Sequence, residues 1–149
     1  MRLPLCVFLL LFMLLPFGAF ADEQAAIWLA TDLHYISPTL TDHGAYFMRM
    51  IENGDGKIVH YIDEITDALI EQTAKAQPDC LILSGDLTFN GAKKSHEDLA
   101  AKLHAIEDAG VPVYVLPGNH DVFCYSAAAF SGNGYELTQG TTSEGFRTI

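Results

Sequence analysis

The stretch VYVLPGNHDVF, residues 113–123, decides how this chain is read. A short apolar run ends in Pro-Gly, and an amide, an imidazole and a carboxylate follow at once: Asn119, His120 and Asp121. A polar turn explains Gly118-Asn119 but not the His-Asp that follows. The cluster gains meaning only if other segments bring matching groups to the same place.

Working outward, two more apolar runs stand upstream, at 26–30 (AIWLA) and 80–83 (CLIL). Each is continuous rather than alternating, which suits strands buried on both faces of a parallel sheet. Helical patterns separate the three runs. Over 57–77, Ile58, Ile62, Ile65 and Leu69 recur at three and four residues, and Pro78 stops the helix. Over 95–110, Ser95 with Asp98 resembles a capping pair, and Leu99, Leu103 and Ile106 form a stripe. Gly110 and Pro112 end that helix. The order strand, helix, strand, helix, strand predicts a parallel βαβαβ unit of the α/β class. The segments 37–56 and 126–140 read as loops. The NGDG tip at 53–56 reads as a plain turn, because Lys57 sits where a calcium loop wants Asp or Asn. Thr141 with Glu144 resembles a helix start.

In a parallel sheet the three strand ends share one edge, where such folds bind ligands. The ends are Thr31-Asp32-Leu33-His34, Ser84-Gly85-Asp86 and Gly118-Asn119-His120-Asp121. In extended chain, residues i and i+2 point the same way, so Asp32 and His34 are expected to grip one cation. A carboxylate with an imidazole suits Zn, Mn or Fe better than Mg or Ca. Asp86, after a glycine turn, can offer its two oxygens to two metals. Each cluster alone has a bland reading as a turn or a cap, but the bland reading would have to hold at three consecutive strand ends. His60, His96 and His104 fall within the helix patterns and read as surface groups, and His43 reads as a loop histidine.

Asp32-x-His34, Gly85-Asp86-(x4)-Gly91 and Gly118-Asn119-His120-Asp121 together resemble the first three motifs of the calcineurin-like metallophosphoesterases. Asp86 follows Asp32 by 54 residues, and Asn119 follows Asp86 by 33. The resemblance implies an αββα sandwich, of which this chain would supply the βαβαβ half. It implies two metal ions (Mn, Fe or Zn), with Asp32 and His34 on one, Asp86 bridging and Asn119 on the other. It makes His120 the imidazole that contacts the phosphate, and Asp121 a partner that orients the ligands. The activity implied is hydrolysis of phosphate esters, mono- or di-, by a two-metal mechanism. Phe89 stands where purple acid phosphatases carry a metal-binding Tyr, so that subclass is not expected. The family's later Gly-His and Gly-His-x-His motifs are absent, so the chain reads as the front part of a longer domain. Residues 22–149 alone are expected to show little or no activity. Two rival readings are a non-catalytic module that keeps the fold and a nucleotide-binding βαβ protein. The nucleotide reading lacks its glycine-rich loop after the first strand.

Residues 1–21 carry Arg2, an apolar run and the exit Ala19-Phe20-Ala21, the pattern of a cleaved secretory signal. The run is shorter than the ~20 residues of a spanning helix, so an exported protein without a lasting membrane anchor is expected. Removing 21 of 149 residues leaves 128, with 7 basic and 19 acidic residues and a net charge of −12. That charge argues against binding a nucleic-acid backbone, while a small phosphate ester stays open because bound cations reverse a local field. The remaining cysteines, Cys80 and Cys124, are expected at opposite edges of the sheet and unpaired.

Overall fold

The computed structural model describes residues 24–54 and 57–149. The signal-peptide reading of 1–21 and the last two residues of the NGDG tip lie outside them. No helix among the described residues is long and apolar enough to cross a membrane.

Three strands form a parallel sheet in the order β1 (Ile27–Thr31), β2 (Cys80–Ser84), β3 (Val113–Leu116). Two helices link them: α2 (Ile62–Ala76), entered through a 3-10 turn at Val59–Tyr61, and α3 (Lys93–Asp108). This is the expected βαβαβ unit. Cys80 and Cys124 are both free.

Register decides what each face carries. Trp28 pairs with Leu81 and Leu81 with Val113; Ala30 pairs with Leu83 and Leu83 with Val115. Leu81 and Leu83 are buried in one core with Leu99, Leu103 and Ile106 of α3, and Trp28, Ala30 and Val113 pack against it. The opposite face presents Ile27, Leu29, Tyr114 and Leu116, and Ile27 and Leu29 remain 59% and 64% exposed. Burial on both faces, expected from the continuous apolar runs, therefore holds for one face of the described sheet.

The helices differ from expectation in detail. In α2 the buried line is Ile62, Thr66 and Thr73, while Ile58 and Ile65 face outward. The threonine hydroxyls make this burial possible by donating to backbone carbonyls one turn back, Thr66 to Ile62 and Thr73 to Leu69 at 2.7 and 2.8 Å. In α3 the helix begins before Ser95, at Lys93, with no side-chain cap. Ser95 and Asp98 serve a neighbouring loop instead: Ser95 Oγ accepts from the Ser37 amide at 3.1 Å, and Asp98 Oδ2 from the Ser37 hydroxyl at 2.6 Å. Lys102 of α3 reaches Asp63 and Asp67 of α2 and ties the helices together.

Both segments read as loops contain regular structure. Between β1 and α2 lie a 3-10 turn, Pro38–Leu40, and helix α1, Ala45–Glu52, which buries Phe47 and Ile51. After β3 comes an antiparallel hairpin of β4 (Ala128–Ser131) and β5 (Gly134–Leu137), turning at Gly132-Asn133. The last helix, α4 (Ser143–Thr148), is capped by Thr142 rather than Thr141, and Thr142 Oγ1 accepts from the Gly145 amide at 3.0 Å.

Candidate metal centre

The three strand ends meet as the parallel topology requires. Past β1 and β2 the pairing continues: the His34 amide donates to Asp86 O at 2.8 Å and the Tyr35 amide to Leu87 O at 2.9 Å. One ligand atom each from Asp32, His34 and Asp86 lies within 4.8 Å of the other two.

The way Asp32 and His34 converge corrects the extended-chain argument. Both residues adopt left-handed backbone, φ 54° and 50°, and Asp86 does too at 34°. Alternation along a strand is therefore not what brings these side chains together. Each such conformation costs a non-glycine residue about 1–3 kcal/mol. Half of the six positive-φ non-glycine residues among those described thus fall in one cluster of three side chains that could hold a metal ion.

Gly118 makes the third loop fit. A Cβ there would stand 2.2 Å from the Asp86 amide nitrogen and 2.4 Å from Asp86 Oδ1. Only a bare Cα lets the chain after β3 lie against Asp86. That approach puts the His120 amide 3.0 Å from Asp86 Oδ1, to which it donates. The His120 ring is oriented separately: Nδ1–H donates to the Phe89 carbonyl at 2.8 Å. In the neutral ring this leaves the lone pair on Nε2. The His120 and His34 rings sit edge to face, 5.2 Å apart.

His34 is buried, with Nε2 3.8 Å from Asp86 Oδ2, and its Nδ1 has no hydrogen-bond partner. Its pKa is held below the usual histidine value, first by burial and then by the Lys57 charge, against the pull of Asp86. A neutral imidazole with an unmet buried nitrogen, beside two carboxylates, is a donor set suited to a transition-metal cation. These residues fit a metal ion. Asn119 is exposed on the same loop, and its amide side chain makes no hydrogen bond among the described residues.

Asp121 is wholly buried and stands behind the cluster. Its Oδ2 accepts from the Leu87 and Gly118 amides at 3.0 and 2.6 Å; its Oδ1 accepts from the Thr88 amide and hydroxyl at 2.7 and 2.9 Å. It clamps the loop after β2 to the loop after β3, so Asp86 and His120 keep their relative position. His96, expected at the surface, is buried beside it, and its Nε2 is 3.0 Å from the Asp121 carbonyl. Its spacing with Leu99, Leu103 and Ile106 puts it on the buried face of α3, which was the available signal. His43 is exposed and stacks on Phe47. The parts that the motifs did not single out are the Phe89 carbonyl and the close approach at Gly118. The carbonyl carries no side-chain signature, and the approach shows only in three dimensions.

Known proteins match the same span. A chain from Pseudoalteromonas sp. (strain SM9913), named "Probable cyclic nucleotide phosphodiesterase", is 33% identical over 129 residues, covering 85% of this chain and 43% of its own length. A chain of the same printed name from Fibrobacter succinogenes (strain ATCC 19169 / S85) is 35% identical over 69 residues, 45% of this chain and 26% of its own. This chain spans less than half the length of these curated relatives. The family model for calcineurin-like phosphoesterases matches residues 25–146, which contain all three strand ends and the clamp behind them. With the motifs in the expected order on one sheet edge, this chain belongs to the calcineurin-like phosphoesterase family.

Proposed function

We propose that the protein hydrolyses phosphate esters at a dinuclear metal centre on this edge, with phosphodiesters of the cyclic-nucleotide kind as the leading substrate class. The observation that carries the reading is the convergence of Asp32, His34 and Asp86 with His120 bonded to Asp86. The relatives' printed names favour a diester. Asp32 and His34 would hold one ion and Asn119 the other, with Asp86 shared. Bound there, the ions supply Lewis acidity and positive charge against the phosphate.

The chain's own residues do the rest. Asp86 faces His34 with one oxygen and the His120 amide with the other, a placement suited to a shared carboxylate. His120, fixed through Nδ1, presents Nε2 as the proton carrier. Water adds to phosphorus and gives up a proton, the ester P–O bond breaks, and the departing oxygen takes a proton from Nε2 of the protonated His120 ring, which the proton from water restores. Asp121 touches no reacting atom and positions the loops.

The test uses protein expressed from its complete gene and supplied with Mn or Zn. It is assayed with an aryl phosphomonoester, an aryl phosphodiester and a cyclic nucleotide. Hydrolysis should be lost in His120→Ala while metal content is retained. Full metal content without turnover of any ester would favour the non-catalytic module.

A further inference from the structure

A cleft of about 590 Å³ opens beside His120. Phe89 and His120 line it from the sheet edge, Tyr46 and Met50 from α1, and Phe130 and Tyr135 from the β4–β5 hairpin. The volume is in the ordinary range for small-molecule sites, roughly 300–1,000 Å³. Among the described residues lining it there is no Lys, Arg, Asp or Glu. The wall is an aromatic cluster: Tyr46 lies 5.7 Å from Tyr135 and 6.4 Å from Phe130, and Phe89 lies 6.2 Å from Phe130. Asp32 and His34 line a separate trough, and His120 borders the cleft while its ring touches that of His34.

The cleft is built in advance of any ligand. Asp42 accepts from the Gly44 amide with Oδ1 and from the Gly132 amide with Oδ2, both at 2.7 Å. The Tyr46 amide donates to Gly132 O at 3.1 Å, and Asn90 Nδ2 donates to Ala128 O at 3.1 Å. A Cβ on Gly44 would come within 2.7 Å of Gly132 O, so helix and hairpin meet backbone to backbone. Little binding energy is then needed to order the walls.

We infer that this cleft is the leaving-group subsite of the enzyme, and that it takes a flat, uncharged aromatic ring, a nucleobase or an aryl group. The inference rests on the phosphoesterase reading for the place of the phosphate. If His120 Nε2 protonates the departing oxygen, the carbon substituent of that oxygen lies on the His120 side, where the cleft is. The lining rejects a second charge and offers ring faces for stacking. One lost stacking ring should weaken binding roughly ten-fold.

The experiment titrates three phosphomonoesters into metal-loaded protein from the complete gene, by calorimetry: adenosine 5′-monophosphate, phenyl phosphate and ribose 5-phosphate. At least one ring-bearing ligand should bind roughly ten-fold tighter than ribose 5-phosphate. The tighter of the two identifies a base or an aryl group as the preferred ring. Tyr135→Leu, on the exposed arm of the hairpin, should erase the margin; Tyr46→Leu is the second variant. Equal affinities in the wild type, or a margin untouched by both variants, would overturn the subsite. Ring-dependent binding without turnover of any ester would overturn the hydrolytic reading and leave the aromatic site standing.

Discussion

His34 faces Asp86 with Nε2 3.8 Å from Oδ2, and His96 faces Asp121 with Nε2 3.7 Å from Oδ1. Both rings are 4% exposed, and both acids follow strands of one sheet. What surrounds them differs. Asp121 is saturated by three backbone amides and a hydroxyl, and His96 Nε2 has the Asp121 carbonyl. His34 keeps a buried nitrogen without a partner, and its backbone and that of Asp86 are left-handed. One pair has its valences filled by the fold and acts as a clamp. The other is left open at a cost in strain and desolvation, and a ligand can recover that cost. The lesson is that a buried His-Asp pair is read by its unmet atoms rather than by its spacing.

The sharpest way to break this comparison is to neutralise each acid in turn. Asp86→Asn should lower turnover by at least about a thousandfold, about 4 kcal/mol of transition-state stabilisation. It should also lower bound metal more than Asn119→Ala does, since a shared carboxylate offsets charge on two ions and an amide serves one. Thermal stability in the absence of metal should change little. Metal analysis and melting of both variants decide it, and unchanged stoichiometry in Asp86→Asn refutes the shared role.

Asp121→Ala should do the opposite. It strands the Leu87, Thr88 and Gly118 amides, each costing about 1–3 kcal/mol when left unmet, so a loss of at least about 3 kcal/mol is expected. Denaturant unfolding measures it. A variant with native stability but no activity would move Asp121 from the clamp to the reaction itself.

The sequence made the open pair legible and left the closed one half hidden. Asp32, His34, Asp86 and His120 were readable because strand ends in a parallel unit must share an edge. The means of convergence was not, since left-handed φ at Asp and His leaves no mark on a pattern. His96 was misread because polarity was weighed above its place on the stripe of α3. Ile58 and Ile65, which gave the periodicity before β2, line the trough at Asp32 and His34. Helix α1 follows Gly44, which has no side chain to cap it, and the hairpin strands have four residues each, too few for alternation to stand out. Those two elements form most of the aromatic cleft, so the residues that meet at the strand ends were readable from sequence while the cleft beside them was not.

The smallest effect tests the closed pair by titration. Burial holds the His96 pKa below the ordinary 6.5, against the opposing pull of the Asp121 carbonyl and carboxylate. The unfolded chain therefore takes up a proton near pH 6.5 that the folded chain refuses until lower pH. The sign follows: the stability contribution is full above 6.5 and is lost as pH falls from there toward the folded-state value. The slope from one such group is at most about 1.4 kcal/mol per pH unit. His96→Gln keeps a donor for the Asp121 carbonyl but cannot titrate, so its stability should fall less steeply below pH 6.5 than the wild type's. His34 is depressed in the same direction but is common to both proteins, so its contribution cancels in the comparison. Denaturant midpoints at pH 7.5, 6.5 and 5.5 for both proteins give the result. Parallel curves would mean that folding does not shift the His96 pKa; a variant that falls more steeply than the wild type would mean that the ring is protonated when folded, and that the second pair is an ion pair rather than a hydrogen-bonded clamp.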